Sequence, residues 1–266
     1  MTRRPTVADL RALKGVRQLL TLHVDNVDEA KAAAAVGIDM VNCEVDWKLP
    51  LIRAAAPLAF VTSGYPHGHI ASEESAIRAG FHAMAQGTDT LYFDGSMRLV
   101  EAMAREGIPV TGHVGLVPGW STWTNFRAIG KTTEEAVAMY HKLKAYEDAG
   151  AWSVELECVP VEIADFLTRS TTLITQGMGS GAVCDTQFLF SCDVLGSNTG
   201  KYPRHAKKYA DFAQEEDRLQ HLRVAAFTAF AEDVRSATYP ALQHEVHVSE
   251  DVLEGLERAV QSRRGS

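Results

Sequence analysis

The chain has 266 residues, of which 46% are hydrophobic and 23% are charged, so it can bury a sizeable core and does not have the composition of a disordered protein. Its formal net charge of −8 argues against a nucleic-acid-binding surface, which needs clustered lysine and arginine. No apolar run approaches the roughly 18 residues of a membrane span, and the N-terminal basic residues are not followed by the apolar segment of a secretory signal. The four cysteines show no CxxC spacing. We therefore expect a cytoplasmic protein with reduced thiols.

Short apolar runs alternate with longer amphipathic stretches along the whole chain. The predicted strands are Gln18–Val24, Ile38–Cys43, Leu58–Thr62, Thr90–Phe93, Ile108–Gly112, Trp152–Leu156, Thr172–Thr175 and Gln187–Cys192. The predicted helices between them are Val27–Val36, Ser72–Gln86, Met97–Arg105, Thr132–Ala149 and Val161–Thr168. This alternation predicts parallel strands joined by right-handed crossover connections.

Eight such strand–helix units would close a (β/α)8 barrel, and the chain has the length that one barrel typically needs. A doubly wound open sheet is the main alternative on the pattern alone. After the last strand, Arg218–Ser236 and a segment around Asp251–Val260 have helical patterns. We therefore expect residues 1–266 to form a single barrel domain with a C-terminal helical extension.

Polar side chains follow most of the predicted strands, where a barrel places its active site. In chain order they are His23, Asp25, Glu44, Asp46, His67, His69, Asp94, His113, Glu155 and Glu157. Acidic and imidazole groups are thus expected to converge on one face of the barrel. This convergence is the strongest functional indication that the spacing supplies.

Some of these residues are candidate metal ligands. Glu44, Asp46 and Asp94 could hold Mg²⁺, which needs only one or two protein carboxylates besides water and substrate oxygens. The imidazoles of His67 and His69 would instead favour a transition metal. The alternative interpretation of this HxH pair, which we favour, is a mobile polar loop.

Two other segments have open interpretations. The loop Val117–Lys131 contains Trp120, Trp123 and Phe126, and it could cover the site or pack at a subunit interface. The glycine-rich segment Gly177-Met-Gly-Ser-Gly181 could offer backbone amides to an anion, or it could reflect tight backbone packing at a strand end.

Several motifs between Gly107 and Tyr209 occur together at a preserved spacing. They are Gly107-Ile-Pro-Val-Thr-Gly-His-Val-Gly-Leu116, Leu156-Glu-Cys-Val-Pro160, Gly177-Met-Gly-Ser-Gly181, Asp185-Thr-Gln187, Asp193-Val-Leu-Gly196 and Pro203-Arg-His-Ala-Lys207. The first two match the IPVxGHxGL and LECVP motifs of the ketopantoate hydroxymethyltransferase family, and the others resemble its GIGAG, DGQ, HDxxG and PKFxK blocks. The chain therefore resembles this family.

The resemblance implies a (β/α)8 barrel of the phosphoenolpyruvate/pyruvate-like type that assembles into rings of barrels such as decamers. It implies a Mg²⁺-dependent transfer of a hydroxymethyl group from methylenetetrahydrofolate to the enolate of a small 2-oxo acid, 3-methyl-2-oxobutanoate. Glu157 would be the catalytic acid/base, and His113, Asp46, Tyr92 and His23 would bind the substrate. The alternatives are a helix-capping role for Glu157 and a packed histidine at His113.

The N-terminal half departs from the family pattern at the metal ligands. The family's VGDS segment aligns with Cys43–Asp46, which puts Val45 at the position of a ligand aspartate, and the aspartate of ADLPF falls at about Gly64. The KxEGG segment becomes Tyr92-Phe-Asp94-Gly-Ser96, which keeps a carboxylate and loses the lysine. An aldolase or lyase acting on a related 2-oxo or hydroxy acid, or a catalytically lapsed barrel that binds a ligand or builds an assembly, are therefore alternative functions.

Overall fold

The computed structural model describes residues 3–200 and 202–262 and contains a closed barrel of eight parallel strands. The strands are β1 (Leu19–His23), β2 (Met40–Glu44), β3 (Phe60–Gly64), β4 (Thr90–Tyr92), β5 (Val110–Gly115), β6 (Ser153–Glu157), β7 (Ile174–Met178) and β8 (Thr186–Phe190). Each strand pairs with the next one in the chain, and β8 pairs with β1. The predicted barrel is confirmed and the open sheet is wrong.

Helices follow most of the strands and form the outer layer that a barrel requires. They are α1 (Val7–Arg11), α2 (Val27–Ala35), α3 (Leu49–Ala55), α4 (Glu73–Gln86), α5 (Met97–Arg105), α6 (Ser121–Thr124), α7 (Thr133–Asp148), α8 (Val161–Arg169) and α9 (Ser191–Leu195). Two further helices follow later in the chain, α10 (Phe212–Arg235) and α11 (Glu250–Ser262). The sequence pattern did not predict the short helices α1, α3, α6 and α9. Segments of four to seven residues are too short to establish a helical period.

The two longest helices of the barrel begin at side-chain caps that the sequence indicated. The Ser72 hydroxyl accepts a hydrogen bond from Ser75 N at the start of α4, and Thr132 accepts one from Glu135 N at the start of α7. Helix α4 ends at Gly87, whose φ of 113° is accessible to glycine at little cost.

Alternate residues of each strand point into the barrel and form layers along its axis. The layer at the amino-terminal ends is an apolar cluster of Leu10, Leu19, Met40, Phe60, Trp152 and Ile174. Above it lie hydroxyl pairs, with 3.0 Å between the Oγ1 atoms of Thr21 and Thr186 and 2.7 Å between Thr111 Oγ1 and Ser153 Oγ. The apolar layer fills the amino-terminal end of the barrel, and a polar cavity lies at the opposite, carboxyl end.

Backbone contacts divide the chain into two compact units, Met1–Asp211 and Phe212–Ser266. The second unit contains α10, a 3-10 turn at Leu242–His244 and α11. No residue of α10 is buried. The organisation of residues 1–266 as one domain with a helical extension remains a prediction. Among the described helices, none combines the length and hydropathy that a membrane span needs.

Candidate active site

A cavity of about 260 Å³ opens at the carboxyl ends of the strands. Its polar lining residues are His23, Asn42, Glu44, Thr62, Ser63, Tyr65, His67, Tyr92, Asp94, His113, Glu155 and Glu157. Met178, Phe188 and Phe190 supply an apolar wall. The strand ends therefore bring together seven of the nine residues that the sequence predicted for the site.

A histidine lies between two carboxylates in this cavity. Glu157 Oε2 is 3.3 Å from His113 Nε2, and Glu155 Oε2 is 3.7 Å from His113 Nδ1. The hydroxyl of Tyr92 is 2.7 Å from His113 Nδ1. Because burial and neighbouring carboxylates hold the pKa of Tyr92 well above its ordinary value, the phenol keeps its proton and can donate it to Nδ1. The imidazole proton then resides on Nε2.

The alternatives to a functional role for these two residues find no support in the geometry. His113 Nε2 is buried and has no hydrogen bond with the described residues, so a backbone carbonyl does not satisfy it. Helix α8 has Pro160 as its N-cap and no side-chain capping hydrogen bond, so Glu157 does not cap it. The Nε2 proton is therefore available to an oxygen atom of a bound ligand, beside the Glu157 carboxylate.

Glu155 is a buried carboxylate on the same face of β6 as Glu157. Its Oε1 accepts a hydrogen bond of 3.3 Å from Asn42 Nδ2. Burial raises the pKa of Glu155 to about 7, His113 opposes that rise, and the Glu157 carboxylate adds to it. A group that titrates near neutral pH therefore lies within 3.7 Å of the imidazole.

His67 and Asp94 form a second pair at the mouth of the cavity. His67 Nδ1 lies 3.1 Å from both carboxylate oxygens of Asp94. The loop after β5 covers this pair, because Pro118 and Gly119 also line the cavity. A Cβ atom at Gly119 would lie 2.4 Å from His67 Nδ1, so only glycine allows the loop to approach the ring this closely.

His23 and Glu44 lie at the ends of β1 and β2 on the other side of the cavity. His23 Nε2 is 3.4 Å from Asp25 Oδ1, and its ring packs on Phe190 at 4.7 Å between centroids. Burial is the largest influence on Glu44, and it raises the pKa of that carboxyl above its ordinary value. His23 and Glu44 are thus placed to contact a ligand.

Asp46 and His69 lie outside the cavity lining. Asp46 Oδ1 accepts a hydrogen bond of 2.7 Å from Lys48 N, in the turn that leads into α3. The His69 ring stacks on Tyr65, with 4.6 Å between centroids and an interplanar angle of 2°. Neither residue therefore lines the cavity that contains the other predicted ligands.

The described residues do not form the metal site that the family resemblance implies. They contain no group of three or more His, Cys, Asp or Glu side chains that could hold a metal ion. Asp94, which occupies the position of a family ligand, is paired with His67. The donor set of the described residues does not fit a metal held by the protein alone.

Two residues that line the cavity, Glu155 and Asn42, were not predicted as site residues, although Glu155 was expected among the polar side chains at the strand ends. Both could have been found from strand alternation, because residues two apart on a strand share a face. Glu155 precedes Glu157 by two positions on β6, and Asn42 precedes Glu44 by two positions on β2.

Several known proteins are similar to this chain. Among solved structures, the carboxyl transferase domain of Rhizobium etli pyruvate carboxylase aligns with a TM-score of 0.51 and 13% identity, covering 69% of this chain and 41% of that one. Orotidine 5′-monophosphate decarboxylase from Methanocaldococcus jannaschii aligns with a TM-score of 0.51 and 9% identity, covering 69% and 93%. At these identities the likeness concerns the fold alone.

Curated relatives at higher identity carry the name 3-methyl-2-oxobutanoate hydroxymethyltransferase. The Enterococcus faecalis protein is 37% identical over 59% of this chain and 55% of its own length. The Dehalococcoides mccartyi protein is 31% identical over 74% and 68%, and the Streptomyces avermitilis protein is 40% identical over 57% and 50%. The matched stretches thus span about half to two thirds of these relatives. A family model for ketopantoate hydroxymethyltransferase matches residues 44–242, and the chain belongs to that family.

Proposed function

We propose that this chain enolises a small 2-oxo acid and transfers a hydroxymethyl group to the resulting enolate. The observation that carries the proposal is the placement of His113 between Glu155 and Glu157 in a cavity lined by the carboxyl ends of the strands. Family membership and the names of the relatives support the same reaction class, with 3-methyl-2-oxobutanoate as the substrate.

Glu157 and His113 have complementary roles in enolisation. Glu157 accepts the proton from carbon 3 of the 2-oxo acid, next to the carbonyl carbon. The Nε2–H of His113 donates a hydrogen bond to the oxygen on which the enolate charge develops. Tyr92 fixes the tautomer that makes this donation possible, because its hydroxyl occupies Nδ1.

The carbon–carbon bond then forms between carbon 3 and a one-carbon unit. The C–H bond at carbon 3 breaks, its electron pair forms the new C–C bond, and the proton resides on Glu157. Methylenetetrahydrofolate is the proposed donor, and its methylene carbon is transferred while both of its C–N bonds break. Water supplies the hydroxyl group and one proton, Glu157 returns the proton taken from carbon 3, and the two donor nitrogens accept these protons as tetrahydrofolate leaves. No redox partner is needed.

Proton exchange at carbon 3 in D2O, followed by NMR, tests the enolisation half of this reaction. We expect exchange with 3-methyl-2-oxobutanoate and a loss of at least about 100-fold in Glu157→Gln. Glu162→Gln is the matched control, since Glu162 lies on the exposed first turn of α8. If Glu157→Gln has a native circular dichroism spectrum and still exchanges the carbon-3 proton at the wild-type rate, the proposal is wrong.

The predicted divalent metal, Mg²⁺, is tested in the same experiment. Exchange is compared in EDTA and with added Mg²⁺, Mn²⁺ or Zn²⁺, and in Asp94→Asn. A metal dependence that disappears in Asp94→Asn would support Asp94 as a ligand, and the same rate under all conditions would contradict the predicted metal.

A ligand-binding barrel without catalysis is the second candidate function. It is favoured by the lack of a metal-holding cluster among the described side chains. Saturable binding of 2-oxo acids without exchange, with every metal tested, would select this function over the first.

A homo-oligomer is the proposed assembly. Helix α10 exposes several large apolar side chains, among them Phe227 at 71% and Phe230 at 55%. Apolar faces of this kind are usually covered by another subunit. Light scattering should give a mass that is a multiple of the chain mass of 29.0 kDa, and Phe227→Ser should lower it. The proposed location is the cytoplasm, and it rests on the sequence pattern, in which Cys43, Cys158, Cys184 and Cys192 show no CxxC spacing.

A further inference from the structure

A second cavity lies at the carboxyl ends of the last three strands, beside the candidate active site. It has a volume of about 700 Å³. Lys131, Arg204 and His205 line it, and its described lining includes no aspartate or glutamate. In a chain with a net charge of −8, a cavity lined by basic side chains and no carboxylate is a local reversal of charge.

The lysine and the arginine of this cavity have no side-chain partner among the residues that the structure describes. Neither Lys131 Nζ nor the Arg204 guanidinium makes a hydrogen bond or an ion pair within the described part of the chain. Basic residues close to them in sequence are paired: Arg127 contacts Glu135, and Lys208 Nζ lies 2.8 Å from Asp211 Oδ2. The cavity therefore presents unneutralised positive charge that an anion can balance.

The backbone around the cavity also favours an anion. Gly179 and Gly181 line it with φ angles of 70° and 74°, and α8 begins beside them at Val161 without a side-chain cap. The first amides of a helix point toward its N-terminal side and attract negative charge. A Cβ atom at Gly179 would lie 2.9 Å from His205 Cβ, so the glycine permits the close approach of that imidazole.

The remaining wall is apolar and is shared with the active site. Val159, Pro160 and Leu189 line the second cavity, and Phe188 lines both cavities. Cys158, which directly follows Glu157 in the chain, also lines the second cavity. A ligand with an apolar body and an anionic end can thus lie along this wall with one end at Phe188, the residue that lines both cavities.

We propose that the second cavity binds the one-carbon donor, with its glutamate carboxylates on Lys131 and Arg204 and its ring system against Phe188. The identity of the donor as a tetrahydrofolate rests on the proposed function. The location of the site rests on the cavity, its unpaired cations and the wall that it shares with the active site.

The test measures binding of tetrahydrofolate, as the mono- and the triglutamate, to the full chain by anaerobic calorimetry. We expect the triglutamate to bind more tightly, and Lys131→Gln and Arg204→Gln each to weaken its binding about fivefold, as the loss of one exposed charge pair would. Both side chains are exposed, so their replacement should leave the fold intact. Lys208→Gln is the matched control and should bind like the wild type.

The outcomes separate this inference from the proposed function. Tetrahydrofolate that binds with equal affinity to the wild type, Lys131→Gln and Arg204→Gln, or does not bind at all, overturns the inference, even if the wild type exchanges the carbon-3 proton. Binding that depends on both residues supports it, even if no exchange occurs. Inorganic phosphate that binds through the same two residues and is not displaced by tetrahydrofolate triglutamate also overturns it, because the cavity would then serve another anion.

Discussion

The two cavities at the carboxyl ends of the strands are neighbours of opposite charge. The described lining of the first contains four carboxylates and no lysine or arginine, whereas that of the second contains Lys131 and Arg204 and no carboxylate. Proton abstraction needs a carboxylate, which the first cavity supplies, and retention of an anion needs a cation, which the second supplies. The difference in charge therefore assigns enolisation to the first cavity and binding of the donor to the second. Because a 2-oxo acid is itself an anion, it can enter the first cavity only if protons or an accompanying cation offset the negative charge of the carboxylates there.

Among changes that leave Glu157 in place, removal of the Nε2 donor of His113 should have the largest effect. In His113→Asn the amide can still contact Tyr92 from the Nδ1 position, but nothing replaces Nε2. We expect carbon-3 exchange to fall about 100-fold, as for the loss of one oxyanion donor. Single-turnover exchange in D2O measures this fall.

His113→Gln is the matched variant, because its amide nitrogen can occupy the place of Nε2. It should recover part of the lost rate. Equal rates in His113→Asn and the wild type would mean that the imidazole only positions Tyr92, and the acidic cavity would then have no donor for an enolate oxygen.

Glu155 should lower the stability of the barrel at high pH. Its pKa is about 7 in the folded chain, whereas a solvated glutamate has an ordinary value of 4.5, so the unfolded chain ionises first as pH rises. Stability is full below about pH 4.5 and falls as pH approaches 7, by roughly 1.4 kcal/mol for each pH unit between the two values, or about 3 kcal/mol in all. Glu155→Gln removes this loss, so the variant should be the more stable protein at pH 8 and similar to wild type at pH 5.

Thermal unfolding at the two pH values measures this difference, and Glu101→Gln on the exposed face of α5 is the control. A stability difference between Glu155→Gln and wild type that does not change between pH 5 and pH 8 would show that the carboxyl is not held neutral by burial. The negative charge of the first cavity would then be larger at neutral pH than we infer.

The fold was predictable from the sequence because its signals are local and repeated. The caps at Ser72 and Thr132 and the alternation of strands with helices specify parallel strands joined by helices without any long-range information, and the family motifs favour the barrel over the open sheet. Boundaries were less predictable: β5 runs on to Gly115, three residues beyond the predicted end, because polar residues such as His113 can occupy a strand that faces a cavity. A strand assignment based on apolar runs stops too early at such residues.

The site was predictable only as a set of strand ends. Glu157, His113 and Tyr92 are brought together because β4, β5 and β6 are neighbours in the barrel. The exclusion of Asp46 depends on a turn whose geometry is set by Lys48, and no sequence period encodes that turn. The second cavity could not be predicted from the sequence for a similar reason. Lys131 and Arg204 are 73 positions apart in the chain, and only folding brings both to the same cavity.

Ionisation of Glu155 should also weaken binding of a 2-oxo acid. Between pH 6 and pH 8 this carboxyl gains a negative charge within the first cavity, and we expect the dissociation constant of 3-methyl-2-oxobutanoate to rise about tenfold in EDTA. Calorimetry across this range measures the rise. Glu155→Gln should flatten the dependence, and an equal rise in that variant would assign it to another titrating group.

Ionic strength should have the smallest effect and should act on the two cavities differently. Lys131 and Arg204 are exposed, and salt screens exposed charges over about 10 Å at 0.1 M. Raising NaCl from about 0.05 to about 0.5 M should therefore weaken binding of tetrahydrofolate triglutamate about threefold. The same change should barely alter the pH dependence that Glu155 causes, because that carboxyl is buried beneath the surface where the ions act. Salt-insensitive binding of the triglutamate would mean that shape and apolar contact with Phe188, rather than charge, hold the donor.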